Sequence, residues 1–347
     1  MKLIIYITLT CLVLSSCAPV SNNINTAQPA VATTTVTTST PSPAPSGNVV
    51  PNFDHIILMM FENQDYQAVI GSGTMPHLEA LAQQDVLLSN YFAVRHPSLP
   101  NYIALMSGST QNITSDCSNC FVNQPNLADR IEASGRTWKA YEENMPAPCF
   151  VGNAPPYYQK HDPLIYFDSI RLNAARCQKS IVPLTQLDSD LAANQLPNFS
   201  FIMPNICNSG HSCPPATADN WVYQMVSKLQ ASPALGKNSL IIITFDEGSE
   251  QSTASCCGLG SKAGGQVATI LISPLAKPAF VDSTAYSHYS LLKTILTAWS
   301  LPDLGQTQQA GTQPIEAPWI AESGSPVPNV SNPPTASSTT ASSLSEN

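Results

Sequence analysis

The sequence predicts an α/β protein with a largely parallel central sheet flanked by helices. Three observations predict it. Short apolar, β-branched runs recur along the chain and suit buried strands. Segments of helical spacing stand between them. Polar residues able to do chemistry follow four of the runs directly, at the strand ends where such sheets bind ligands.

The elements follow in order. Residues 53–60 form the first strand, and 75–84 a helix with Pro76 in its first turn. Residues 86–94 form a strand, and 100–106 start a helix. Residues 126–134 are helical up to Gly135, and 137–141 form a short strand. The stretch 149–183 is rich in Tyr, Pro and Asn and is expected to be a long irregular insertion. Residues 188–194 are helical, 198–203 form a strand, and 218–229 an amphipathic helix. The clearest buried strand is 239–245, Ser-Leu-Ile-Ile-Ile-Thr-Phe; 267–272 adds another and 288–299 a last helix.

Among 347 residues only 11% are charged, with 14 Lys and Arg against 23 Asp and Glu and a net charge of −9. An acidic chain argues against a nucleic-acid partner, which calls for a basic surface. Setting aside the uncharged ends, residues 49–322 carry about 13% charged side chains, half of the ~25% usual in soluble proteins. No apolar run reaches the ~18 residues of a membrane span.

The N-terminus reads as an export signal: Lys2, the apolar stretch 3–14, then Leu14-Ser15-Ser16-Cys17. That tetrapeptide resembles the bacterial lipobox, which makes Cys17 the expected lipid anchor and membrane attachment, on the periplasmic side or the cell surface. The alternative is an ordinary secretory signal. Residues 18–48, rich in Thr, Ser, Pro and Ala, read as a flexible tether, 49–322 as the folded domain, and 323–347 as a disordered tail. Beyond Cys11 and Cys17, eight cysteines remain, an even number that suits disulfides in an exported protein. Their connectivity is not fixed by spacing.

Four strand ends offer chemistry. Glu62 and Asn63 present a carboxylate and an amide, hard donors for a divalent cation or members of an Asx turn. Ser98 in His96-Pro97-Ser98-Leu99-Pro100-Asn101 stands at a helix start, as a nucleophile or as an N-cap. Asn205 follows 198–203. Asp246 and Glu247 are adjacent acids that repel unless a cation or protons neutralise them. His161, His211 and His288 lie in polar loops or at an element start, placed to bind phosphate, ligate metal or protonate a leaving group. His55 and His77 read as structural, and His96 stays open.

Six segments together resemble the bacterial phosphoesterase family of acid phosphatases and phosphatidylcholine-type phospholipases C, within the alkaline-phosphatase superfamily. They are IILMMFENQDY (56–66), HPSLPNYIALMSG (96–108), HDPLIYF (161–167), NFSFIMPNICNSGH (198–211), IIITFDEG (241–248) and 288–305. The resemblance implies an alkaline-phosphatase-like core and makes Glu62, Asn63, Ser98, Asp246 and Glu247 a site for a divalent metal cation. It makes Ser98 the nucleophile and gives Asn101 a phosphate oxygen. His161, His211 and His288 would line the phosphate pocket. Ser212 and Gln266 depart from the Asp and His of many relatives and weaken the case for a second metal.

The reading is a metal-dependent hydrolase of phosphate monoesters, small or on a phospholipid headgroup, working through a phosphoseryl intermediate. A phospholipase C-type phosphodiesterase is the first alternative, and a non-catalytic surface-binding lipoprotein the second. The physical argument beside the resemblance is that acids directly behind buried strands, in a charge-poor chain, are costly without a compensating cation.

Overall fold

The computed structural model describes residues 50–320. The predicted signal, anchor Cys17, tether and tail lie outside the described residues, as do the outer bounds of the predicted domain.

The strands are β1 His55–Phe61, β2 Val86–Phe92, β3 Trp138–Glu142, β4 Ile181–Pro183, β5 Phe199–Met203, β6 Ser239–Phe245, β7 Gln266–Ile272, β8 Phe280–Asp282 and β9 Tyr286–Ser287. The helices are α1 Tyr66–Val69, α2 Pro76–Gln84, α3 Ser98–Ser107, α4 Leu127–Ala133, α5 Asp168–Arg171, α6 Ala174–Ser180, α7 Thr185–Ala192, α8 Pro215–Ala231 and α9 His288–Ala298. Among the described residues the strands form one sheet in the order β4-β3-β5-β1-β6-β7-β2-β8, with β9 beside β2.

All pairings are parallel except those of β7, which runs antiparallel to both β6 and β2. The reason lies in the connection. Residues 246–265 contain no helix, and a parallel neighbour normally needs a crossover element. β1 and β6 are buried from end to end apart from His55, as expected of strands covered on both faces.

The predicted irregular insertion is more ordered than its composition suggests. Residues 149–183 hold two 3-10 turns (Gln159–His161 and Pro163–Tyr166), α5, α6 and the edge strand β4. The Cys149–Cys177 disulfide ties its start to α6. Tyr157, Leu164, Ile165, Tyr166 and Phe167 are buried, so the apolar and aromatic content of this segment builds core. The other disulfides are Cys117–Cys120, Cys207–Cys213 and Cys256–Cys257, so all eight remaining cysteines are paired. Asn126 caps α4 through a capping box with Asp129. No helix of the described residues is long and apolar enough to cross a membrane.

Candidate functional site

The site begins with a register. β1 and β6 pair Phe61 with Phe245, so Glu62 and Asp246 leave the sheet at the same level. The Asp246 N–H still bonds the Phe61 carbonyl at 2.9 Å. The chain then turns at Asn63, whose φ of 55° is left-handed, a conformation Asn tolerates better than most residues. That turn aims the Asn63 N–H at Asp246 Oδ1 (3.0 Å). Glu247 N–H donates to the same oxygen at 2.6 Å. Asp246 Oδ2 is buried with no hydrogen-bond partner.

Ser98 arrives from the far side of β7. It is the first residue of α3 and is almost fully buried. Its Oγ lies 3.1 Å from Glu62 Oε2 and 3.3 Å from Glu247 Oε1. One hydroxyl proton serves two carboxylates, so a single Oγ–H is pulled towards acceptors on both sides. Ser98 is no simple N-cap: its side chain takes no N–H of its own helix, and Pro97 holds the cap position.

The acids are held away from ordinary behaviour by burial. Burial pushes the Glu62 carboxyl up to about 7, against the nearby Lys160 ammonium and the Tyr102 hydroxyl. Burial, with Glu62 and Glu247 beside it, pushes Asp246 well above the usual carboxylate range. Burial also raises Glu247, while its hydrogen bond to His96 opposes the shift. Three buried acids side by side favour retained protons unless a cation joins them.

His96, open in the sequence, has a defined place. Nδ1 lies 2.6 Å from Glu247 Oε2 and Nε2 lies 2.8 Å from the Ser252 carbonyl. Both partners accept, which favours a ring protonated on both nitrogens. The hydrogen bond to Glu247 raises the His96 pKa, against partial burial. Glu247, expected as a metal ligand, therefore faces Ser98 with one oxygen and His96 with the other.

Two predicted residues sit elsewhere in the chemistry than expected. Asn101 is fully buried, and its amide is consumed by the loop ahead of Ser98. Oδ1 accepts from the Val94 and Arg95 N–H groups, both at 2.9 Å, and Nδ2 donates to the Arg95 and Pro97 carbonyls. No donor is left over for a phosphate oxygen. His288 is also fully buried, behind Asp246. Its Nε2 lies 2.7 Å from the Asp246 carbonyl and its Nδ1 3.0 Å from the Tyr91 hydroxyl. Burial pushes its pKa down to about 4. Both residues hold the site from behind; neither lines it. Asn205 accepts from the Cys207 and Asn208 N–H groups and forms an Asx turn. His55 and His77 are structural, on the Pro197 carbonyl and stacked on Tyr223.

His161 and His211 stand together on the Glu62 side, ring centroids 6.1 Å apart. His161 Nε2 lies 3.2 Å from Glu62 Oε1. Burial and the neighbouring Lys160 hold His161 well below the usual histidine range, and lower His211 too. His211 is exposed at the mouth, on the loop that the Cys207–Cys213 disulfide closes.

Three participants escaped the sequence reading. Tyr102, one turn along α3 from Ser98, donates its hydroxyl to Glu62 Oε1. Lys160 Nζ pairs with Asp116 Oδ2 at 2.9 Å and acts on Glu62 and Asp246 through its charge. Asp116 Oδ1 in turn accepts the Leu99 N–H at the start of α3. The available signal was Lys160 itself, one of 14 basic residues, directly before His161. The Leu99–Asp116 bond also narrows the anion-binding capacity expected of this helix start, because Pro100 contributes no N–H.

Among the described residues no three His, Cys, Asp or Glu side chains converge as a ready metal cage. The donors at this position are of another composition: Glu62, the Asn63 amide, the Ser98 hydroxyl and the unpartnered Asp246 Oδ2. Hard oxygens and a buried orphan carboxylate oxygen fit a hard divalent cation.

Known proteins bear on this geometry. The model of the phosphoesterase family matches residues 72–302. A phosphate-repressible acid phosphatase of Penicillium chrysogenum is 32% identical over 73% of this chain and 61% of its own length. The chain spans 56–61% of the length of the first four curated relatives. A phosphatidylinositol-3-phosphatase of Mycobacterium tuberculosis is 29% identical over 79% of this chain and 85% of its own length. A Vibrio parahaemolyticus protein of the alkaline phosphatase superfamily shares the fold, with a TM-score of 0.52 at 13% identity over 78% of this chain and 74% of that one. The expected alkaline-phosphatase-like α/β core is thus present, and the family match covers most of the described chain: this protein belongs to the phosphoesterase family.

Proposed function

We propose that the chain hydrolyses phosphate monoesters with Ser98 as nucleophile. The observation that carries this reading is the position of Ser98 Oγ, buried between Glu62 and Glu247 and within hydrogen-bond reach of both. A hydroxyl so placed loses its proton to a carboxylate as it attacks phosphorus. Glu247 is the natural acceptor, since burial raises its proton affinity and His96 fixes its orientation. The phosphoryl group passes to Ser98 and the alcohol leaves with a proton. His211, at the mouth, is placed to supply that proton in acidic solution. Water then attacks the phosphoserine and gives its proton to the now neutral His211, the Glu247 proton returns to Ser98 Oγ, and phosphate departs.

Charge on the phosphoryl oxygens meets Lys160, which Asp116 holds in place. Glu62, Asn63, Asp246 and Ser98 are the residues that would hold a divalent cation. Such a cation polarises the phosphoryl group and lowers the pKa of the serine. The names of the relatives, acid phosphatases and a phosphatidylinositol-3-phosphatase, favour monoesters over the phospholipase C alternative. The expected export and lipid anchoring through Cys17 are proposed on the sequence alone.

The test is a substrate panel on the full chain: a chromogenic phosphomonoester, a bis-ester and phosphatidylcholine, each with and without EDTA. Monoester turnover that EDTA abolishes and a divalent cation restores is expected. Faster turnover of the diesters would establish the alternative, and no turnover of any ester would remove the enzymatic reading.

A further inference from the structure

The edge of the sheet opposite the site carries a groove of about 600 Å³. It is built at the N-terminal ends of β3, β4 and β5, with walls from the α4–β3 turn and α6. Strands of five to seven residues at ~3.3 Å per residue place it about 20 Å from the catalytic cluster. Four cations, Arg136, Lys139, Arg176 and Lys179, and one acid, Glu132, line it. In a chain with 14 basic residues and a net charge of −9, that is a strong local concentration.

Two of the four are committed to acids. Lys139 pairs with Asp190, and Arg176 with Asp129 and Glu132. Among the described residues Arg136 meets only neutral groups, donating to Asn52 Oδ1 and Ser134 Oγ and lying over the Trp299 ring. Lys179 is exposed, with no carboxylate of the described residues within ion-pair distance. Beside the groove, next to its wall residue Asn173, Leu172 is 69% exposed, the most exposed large apolar side chain of the described residues. Asn52, at the start of the described chain, reaches this edge through Arg136.

Surplus cations beside a bare leucine match the two chemistries of a bilayer surface, anionic headgroups and the acyl boundary beneath them. We infer that this groove docks the protein on an anionic phospholipid surface, with Arg136 and Lys179 on headgroups and Leu172 inserted. Docked this way, the catalytic edge faces away from the membrane, and the substrate comes from the solvent side.

The experiment compares the full chain with its Arg136→Gln/Lys179→Gln and Leu172→Gln forms. Co-sedimentation is measured with vesicles of phosphatidylcholine alone and of phosphatidylcholine with phosphatidylglycerol. The readout is the ratio of anionic to neutral binding, which cancels whatever the N-terminal segment contributes to both. At about 1 kcal/mol per basic residue near such a surface, the double variant loses about 30-fold in that ratio. Leu172→Gln weakens binding to both vesicles. Hydrolysis of a small soluble ester stays at the wild-type rate in all forms. An unchanged ratio in the double variant overturns the proposal. So does displacement by inorganic phosphate beyond the effect of chloride at equal ionic strength, which would assign a small-anion site.

Discussion

His96 Nδ1 stands 2.6 Å from Glu247 Oε2, while the other oxygen of that carboxylate receives Ser98 Oγ at 3.3 Å. The imidazole thus fixes the acid that fixes the serine. His96→Gln is expected to lower kcat by about 10- to 100-fold, the usual cost of losing an orienting partner. Because His96 holds the Glu247 pKa down, its loss moves the acidic limb of the pH–rate profile to higher pH. Steady-state kinetics from pH 4 to 8 measure both; a fall in kcat with an unmoved profile would deny the link.

Asn101→Ala separates two roles. If the amide serves the loop, the variant leaves buried N–H groups of residues 94 and 95 without an acceptor, at about 1–3 kcal/mol each. A lowered thermal midpoint is expected, and Asn101→Asp is destabilised too, because it keeps the acceptor but turns a carboxylate oxygen on the Arg95 and Pro97 carbonyls. Wild-type stability with a raised KM would return Asn101 to the phosphate.

Gly108 caps α3 at φ 71°, and a Cβ there would run into the Leu304 backbone. Gly135 has φ 81° with open space around it. Gly135→Ala is expected to cost about 1–2 kcal/mol from conformation alone. Gly108→Ala costs clearly more, since backbone must also move. Denaturant unfolding of the pair tests this; equal losses would show that the loop around Leu304 yields freely.

Much of this was legible in the sequence, and the failures have physical causes. The strand at 239–245 was read to the residue, because a run of isoleucines between polar ends admits little else. The acids after it, and Glu62 after β1, were placed at strand ends by the same pattern. Asn101 and His288 were misplaced because a motif shows that a residue is near a site, not which side of it the residue faces. Tyr102 was unreadable: an aromatic one turn into a buried helix looks like core. The order within 149–183 was missed because short turns and a three-residue edge strand leave no periodicity.

Asp85, at the end of α2, gives a pH prediction outside the site. Burial raises its pKa from 3.8 to about 6. A carboxyl with a raised folded pKa favours the fold fully below its unfolded pKa, and that contribution is lost as pH rises to 6. Asp85→Asn should therefore match wild type near pH 3.5 and exceed it in stability above pH 6, modestly because the group is only partly buried. Thermal melts at the two pH values decide; an advantage equal at both would mean that the effect is not titration.

The central claim is a covalent phosphoryl group on Ser98. It is tested most directly by mixing the full chain with a fast-leaving phosphomonoester, quenching in acid and analysing the peptide that contains Ser98 by mass spectrometry. The account predicts one added phosphoryl group on Ser98, and none in Ser98→Ala, which turns over no ester. Monoester turnover at the wild-type rate in Ser98→Ala would contradict it.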